Sequence, residues 1–232
     1  MLRRKIEESI FEWISDGKKA LLVDGARQVG KTYTIRQCLK ESGCDHVEVN
    51  LIENDAAKKA LSGSLSVQDL IINLSAATGH DFIKGSTVIF IDEVQELKDI
   101  VTRIKFWVDE GSFRYILSGS MLGVELENLR SAPVGYVHEL KMFPMDFEEF
   151  ILANGVSEDI VGHLKSCFEE KKPVGEVIHG KLMQLFGRYL VIGGMPQAVH
   201  EFTETLNIAK VSDIQHDIIL FYKRDYSKYE NE

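Results

Sequence analysis

The residues best suited to chemistry lie in the stretch LLVDGARQVGKT, which ends at Thr32. The fixed positions of the pattern G-x-x-x-x-G-K-S/T are filled by Gly25, Gly30, Lys31 and Thr32. In this pattern the glycines let backbone N–H groups surround phosphates, the lysine reaches the β- and γ-phosphate oxygens, and the hydroxyl holds Mg²⁺. The sequence therefore predicts a phosphate-binding loop, although a glycine-rich turn without a ligand could have the same letters.

The flanking residues favour the nucleotide-binding interpretation. A short apolar run over 20–23 precedes the loop, as a buried parallel strand would, and apolar residues recur at helical spacing after it, up to Gly43. The sequence has no N/T-K-x-D motif for reading guanine, which favours ATP. We predict nucleotide contacts by Gly25, Ala26, Arg27, Gln28, Val29, Gly30, Lys31, Thr32 and Tyr33.

Two adjacent carboxylates, Asp92 and Glu93, end the apolar segment TVIFIDE. Ligands of open α/β sheets bind at the carboxyl ends of the strands, so these side chains should meet the loop in one crevice. We expect Asp92 to hold Mg²⁺ together with Thr32, and Glu93 to polarise an attacking water. Lys31 would neutralise the phosphates, since phosphoryl transfer needs mainly positioning and charge neutralisation. A carboxylate that merely matches a helix dipole is the alternative for Glu93.

Ser118 ends another apolar run, and we predict that it hydrogen-bonds the γ-phosphate or the attacking water. Ser120 is the alternative, and S-G-S is also a common turn. Arg130 is a weak candidate for an arginine finger acting on a neighbouring subunit, and a solvated arginine fits it equally well. Arg27 could touch a phosphate or lie outside the site.

These residues must be positioned by an α/β core followed by helices. We predict an N-terminal helix over 1–16, and strand-like segments over 20–23, 46–51, 87–93, 113–117 and 136–142. From Pro144 onward the pattern becomes helical, and Asp146 with Glu149 forms a capping box. We therefore assign 1–144 to an α/β core and 145–232 to a helical subdomain with a terminal linker helix.

Composition excludes several classes of function. The net charge of −9 over 232 residues argues against a broad nucleic-acid-binding face. No apolar run approaches the ~20 residues of a membrane span, so no membrane partner is expected. Three cysteines without metal-ligand spacing suggest a reduced, cytoplasmic protein.

The segments GARQVGKT, TVIFIDEVQEL, YILSGS, FPMDFEEF and YLVIGGMP together resemble the bacterial and archaeal AAA+-type ATPases that usually carry a C-terminal domain of unknown function. The match covers nearly the whole chain in order. It implies an αβα P-loop domain with a parallel five-stranded sheet and a helical lid, whose GGMP turn would stand near the nucleotide. Tyr136 occupies a position where relatives often have a basic residue. A nucleic-acid partner would be bound only through the C-terminal domain.

The predicted activity is Mg²⁺-dependent ATP hydrolysis, slow in isolation, that drives a conformational change. The alternative is a nucleotide-dependent switch that recruits a protein partner or assembles with itself, with little hydrolysis of its own. A kinase for a small metabolite is a weaker third hypothesis, because a second carboxylate beside Asp92 favours water as the acceptor.

Overall fold

The structure, a computed structural model, describes residues 2–63, 66–97, 99–120 and 135–229. The chain forms two compact units, one over Ile6–Met142 and one that combines Met1–Lys5 with Phe143–Glu232. We refer to them as the α/β unit and the helical unit. The first five residues, predicted to belong to the α/β core, therefore group with the helical unit.

A parallel sheet forms the centre of the α/β unit, in the order β2-β3-β4-β1-β5. Its strands are β1 Ala20–Asp24, β2 His46–Asn50, β3 Val88–Asp92, β4 Arg114–Gly119 and β5 Val137–Lys141. Every residue of β3 is buried, as expected for a central strand covered on both faces. The predicted fold class, a P-loop α/β domain with a five-stranded parallel sheet, is confirmed.

Helices flank this sheet in the α/β unit. They are α1 Ile6–Asp16, α2 Lys31–Ser42, α3 Asp55–Gly63, α4 Val67–Thr78 and α5 Ile100–Glu110, and a 3-10 turn spans Val94–Glu96. The predicted first helix is wrong at its start, because α1 begins only at Ile6. Within the described ranges, no helix is long and apolar enough to cross a membrane.

The helical unit contains α6 Phe147–Ala153, α7 Glu158–Glu169, α8 Glu176–Ile192, α9 Pro196–Thr205 and α10 Ile208–Tyr229. The predicted capping box at the start of α6 is present, with Asp146 and Glu149 each accepting the other's backbone N–H. Asn207 Oδ1 accepts from the Ala209 N–H at 2.9 Å and so caps α10.

A buried ion pair ties the N-terminal residues to α6. The Arg4 Nε donates to Glu149 Oε1 at 3.1 Å, and the Lys5 backbone N–H donates to the same oxygen at 2.8 Å. Arg4 Nη2 donates to the Phe143 carbonyl at 2.7 Å. Arg4 and Glu149 are each only 6% exposed. These contacts explain why the first five residues belong to the helical unit.

A close backbone contact joins the segment before α6 to the turn between α8 and α9. The Met145 N–H donates to the Gly194 carbonyl at 2.6 Å. A Cβ on Gly194 would lie 2.1 Å from the Met145 carbonyl oxygen, so only glycine fits there. The segments FPM and GGMP, about fifty residues apart in the chain, therefore pack directly against each other.

Candidate active site

The loop between β1 and α2 has the backbone that close wrapping requires. Gly30 precedes α2 in a left-handed conformation, with φ 98°, and Gln28 is also left-handed at φ 63°. A Cβ on Gly25 would come within 2.1 Å of the Met142 carbonyl oxygen. The two glycines fixed by the sequence pattern are thus needed for two separate reasons, a close approach at Gly25 and a positive φ at Gly30.

Lys31 curls back into this loop. Its Nζ donates to the carbonyl oxygens of Gly25 at 2.7 Å and Ala26 at 2.8 Å. Burial lowers the pKa of the Lys31 ammonium, and the nearby carboxylates of Glu93, Asp24 and Asp92 oppose that shift. An ammonium group held inside a loop of backbone groups can neutralise an anion bound there.

Asp92 is the centre of a buried polar cluster at the carboxyl ends of neighbouring strands. Its Oδ2 accepts from Thr32 Oγ1 at 2.9 Å and from Asn50 Nδ2 at 3.3 Å. Its Oδ1 accepts from the Ser118 hydroxyl. Asp92 is 2% exposed and Ser118 is fully buried. The structure therefore brings Thr32, Asp92 and Ser118 together.

Glu93 follows in an unusual backbone conformation. With φ 59° and ψ 45° it is left-handed, which is sparsely populated by non-glycine residues and persists where surrounding contacts hold it. Its Oε2 accepts from Gln95 Nε2, and Gln95 Oε1 accepts from the Ser120 backbone N–H at 3.3 Å. The Ser120 hydroxyl accepts from Arg27 Nε at 3.3 Å. Ser120 and Arg27 thus contact each other beside the loop.

Other predicted site residues differ in what they could offer a nucleotide. Val29 is fully buried, so only its backbone N–H could face a phosphate. Tyr33 is 57% exposed, which leaves its ring accessible at the surface of α2. Arg130, the weak candidate for an arginine finger, lies outside the described residues.

Two polar residues of the cluster do not follow from the sequence motifs. Asn50 is the last residue of β2 and pairs in register with Asp92, which explains its contact with that carboxylate. The sequence signal that could have found Asn50 is its position as a polar residue at the end of a strand with alternating apolar residues. Gln95 is the second residue, and only the 3-10 turn after β3 brings its amide back to Glu93.

The residues present fit both a bound nucleotide and Mg²⁺. A threonine hydroxyl and an aspartate carboxylate 2.9 Å apart are oxygen donors, the ligands that Mg²⁺ prefers. Gly25 and Gly30 form a cradle that a Cβ would disturb, beside the Lys31 ammonium. Among the described residues, Asp24 Oδ1 is a buried oxygen without a hydrogen-bond partner at the end of β1, directly before the loop.

Comparison with known proteins finds a family that matches more than half of the chain. The family model described as AAA domain matches residues 17–151. The range contains the loop, the Asp92 cluster and all five strands. No significant match to a curated protein was found.

Solved structures share the fold at low sequence identity. The Walker-type ATPase PABY2304 of Pyrococcus abyssi is 15% identical, with a TM-score of 0.59 over 98% of this chain and 76% of that chain. The Orc1 protein of Aeropyrum pernix in complex with DNA is 17% identical, with a TM-score of 0.44 over 95% and 84%. Drosophila ORC bound to DNA is 18% identical, with a TM-score of 0.47 over 85% and 58%. Only the first similarity is close enough to bear on the fold.

Proposed function

Since the chain belongs to the AAA domain family, we propose that it is an Mg²⁺-dependent ATPase that uses hydrolysis to change its conformation. The contact that carries the proposal is the 2.9 Å hydrogen bond between Thr32 and Asp92, beside a lysine enclosed by the loop. It joins the start of α2 to the end of β3, where hydroxyl and carboxylate can act on one cation.

Lys31, Thr32 and Asp92 would bind and orient the nucleotide. The Lys31 ammonium would leave its carbonyl partners for the β- and γ-phosphate oxygens, while the loop N–H groups hold the phosphate chain. Thr32 and Asp92 would hold Mg²⁺, Asp92 through a bound water. When bound, the cation neutralises the negative charge that develops on the transferred phosphoryl group.

Glu93 would act as the general base. It accepts a proton from water while the water oxygen forms a bond to the γ-phosphorus. The bond from that phosphorus to the bridging oxygen breaks, which yields ADP and inorganic phosphate. Ser118 would hold the orientation of Asp92 through its hydrogen bond, in addition to the predicted contact with the γ-phosphate or the water. Arg130 is only a weak candidate for an arginine finger, and such a finger can raise the rate by several decades, so we expect slow turnover in isolation.

The test is phosphate release from ATP by the wild type and by Glu93→Gln. We expect the substitution to lower kcat at least about tenfold, because a general base contributes roughly 10²–10⁴ in rate. The affinity for a fluorescent ATP analogue should not change, because Glu93 is assigned to the water and not to the phosphates. Chelating Mg²⁺ should stop turnover of the wild type.

Glu96→Gln is the matched control. Glu96 lies in the 3-10 turn that directly follows Glu93 and is the same type of residue. It pairs with Lys58 at the surface at 3.1 Å. It should turn over ATP like the wild type. If Glu93→Gln behaves like Glu96→Gln, Glu93 is not the base. Tight ATP binding by the wild type without phosphate release would instead favour the switch that recruits a partner.

The conformational part of the proposal has a separate test. Hydrogen exchange of Glu93→Gln can be compared with ATP and with ADP bound, because this variant keeps the nucleotide intact. We expect protection to differ between the two nucleotides in α8 to α10 as well as in the loop. Identical protection in those helices would confine the effect of hydrolysis to the α/β unit.

A further inference from the structure

A series of hydrogen bonds runs from Arg27 in the nucleotide loop to Glu93 through Ser120 and Gln95, and of these residues Gln95 has no assigned role. Arg27 Nε donates to the Ser120 hydroxyl at 3.3 Å. The Ser120 backbone N–H donates to Gln95 Oε1 at 3.3 Å. The Gln95 Nε2 then donates to Glu93 Oε2. Three separate segments, the loop, the turn after β3 and the end of β4, meet in this series.

We propose that Gln95 is a positioning residue that holds the Glu93 carboxylate for hydrolysis, and that Ser120 and Arg27 fix Gln95. The inference rests on the proposed function, because it takes Glu93 to be the general base. Gln95 acts through Glu93 and needs no contact of its own with the nucleotide.

The chemistry of the amide explains why a glutamine suits this place. An amide side chain has an acceptor oxygen and a donor NH₂ group at fixed positions. The Ser120 N–H needs an acceptor, so it selects Oε1, and Nε2 must then face Glu93. A glutamate at position 95 would keep the acceptor but place a second negative charge against Glu93. An aliphatic residue would satisfy neither partner.

The backbone around Glu93 does not by itself fix the position of the Glu93 carboxylate. Glu93 is left-handed at φ 59°, between a fully buried strand and a single 3-10 turn. Glu93 is half-buried, so packing alone restrains its side chain less than it would a core residue. Gln95 donates to Oε2 of Glu93, which leaves Oε1 to accept the proton from water.

The same series of hydrogen bonds connects the nucleotide loop with Glu93. Arg27 is among the residues predicted to contact the nucleotide, and its Nε is bound to Ser120. A shift of Arg27 toward a phosphate would change the position of Ser120 and, through Gln95, that of Glu93. Occupation of the loop and orientation of the base are thereby coupled.

Steady-state kinetics of Gln95→Leu, Glu93→Gln and the double variant test the inference. We expect Gln95→Leu to lower kcat about tenfold, which is less than the roughly 10²–10⁴ that the base itself contributes, because the base is still present but less well held. KM and ATP affinity should not change. In the Glu93→Gln background it should cause no further loss, because residues that act as a unit are non-additive. Gln95→Glu preserves the shape of the side chain. It should show the same loss of kcat without the disturbance of the turn that leucine could cause.

Gln37→Leu is the control, because Gln37 Nε2 also donates to a glutamate, Glu41, but on the surface of α2. It should leave kcat unchanged. A second readout needs no turnover: in ¹H–¹⁵N spectra of the nucleotide-free protein, Gln95→Leu should shift the Ser120 amide, and Glu93→Ala should shift the Gln95 side-chain NH₂ signals.

The outcomes separate this inference from the proposed function. Full turnover by Glu93→Gln shows that Glu93 is not the base and so overturns the inference, although the protein still hydrolyses ATP. No turnover by the wild type overturns the proposed hydrolysis and the inference with it. A loss in Glu93→Gln with wild-type turnover in Gln95→Leu overturns only the role of Gln95. A further loss from Gln95→Leu in the Glu93→Gln background shows that Gln95 acts by a route other than Glu93.

Discussion

Gly194→Ala tests the close contact between the turn before α9 and the segment before α6. Its Cβ would lie 2.1 Å from the Met145 carbonyl oxygen and 2.9 Å from the Met145 nitrogen. The first of these distances is more than about 1 Å short of van der Waals contact. Both neighbours are backbone atoms, so no side chain can rotate away to make room.

The magnitude follows from the two interactions that must change. Forcing an extra carbon into a packed site costs about 1–3 kcal/mol, and loss of a buried hydrogen bond adds about 0.5–1.5 kcal/mol. The bond at risk is the 2.6 Å one from the Met145 N–H to the Gly194 carbonyl. We therefore expect Gly194→Ala to lower the free energy of unfolding by about 2–4 kcal/mol, which in urea moves the midpoint by about 1–2 M.

Gly187→Ala is a control of opposite sign in the same unit. Gly187 lies in the interior of α8, and a Cβ there would meet no atom within 4 Å. Alanine should stabilise this helix by about 0.5–1 kcal/mol, because glycine loses more conformational entropy on folding. One methyl group thus has opposite effects at two glycines seven residues apart.

Urea unfolding followed at two signals can locate the effect. Circular dichroism at 222 nm reports on the helices of both units, whereas tryptophan fluorescence reports on the α/β unit, which contains both Trp13 and Trp107. Gly194→Ala should lower the midpoint measured by circular dichroism, and Gly187→Ala should raise it. A midpoint for Gly194→Ala equal to that of the wild type would refute the close contact.

Two further predictions concern buried groups. Glu149→Ala should destabilise the helical unit by about 3–5 kcal/mol, because it removes the carboxylate bound to the buried Arg4 guanidinium. Arg4→Met should cost less, because the Glu149 carboxylate that remains still accepts from the Lys5 and Asp146 backbone N–H groups. Urea midpoints of the two variants show which one loses more stability. A larger loss in Arg4→Met than in Glu149→Ala would contradict the buried pair. Burial raises the pKa of the Cys38 thiol to about 12, so iodoacetamide at pH 8 should label half-exposed Cys44 and spare Cys38 in the native protein. Peptide mass spectrometry reads out both sites, and equal labelling would show that Cys38 is accessible.

The fold was largely predictable, because its main signals are local. The apolar runs that became β1, β3 and β4 are buried along almost their whole length, and a strand covered on both faces has little freedom to be polar. The capping box before α6 was equally clear, since its two residues lie within one helical turn. The early start predicted for α1 failed because Arg4 and Lys5 bind α6 residues more than 140 positions away.

The candidate site was predictable only where a motif fixes it. Lys31 and Thr32 are placed by the loop itself, and Asp92 by the end of a buried strand. The contacts of Asn50 and Gln95 depend on sheet order and on a left-handed residue, and neither leaves a periodic pattern in the sequence. Local sequence therefore names the groups that do chemistry more readily than the groups that hold them.

Two of the segments that carry the resemblance, FPMDFEEF and GGMP, have a structural explanation within the helical unit. Met145 packs its backbone against Gly194, and the capping pair Asp146 and Glu149 starts α6. Glu149 also binds Arg4, so one short segment connects the chain's N-terminal residues with the turn before α9. These residue types are required by backbone crowding and by a buried charge. These two segments can therefore stabilise the helical unit without any contact with a nucleotide, whereas the proposed chemistry belongs to the loop and Asp92.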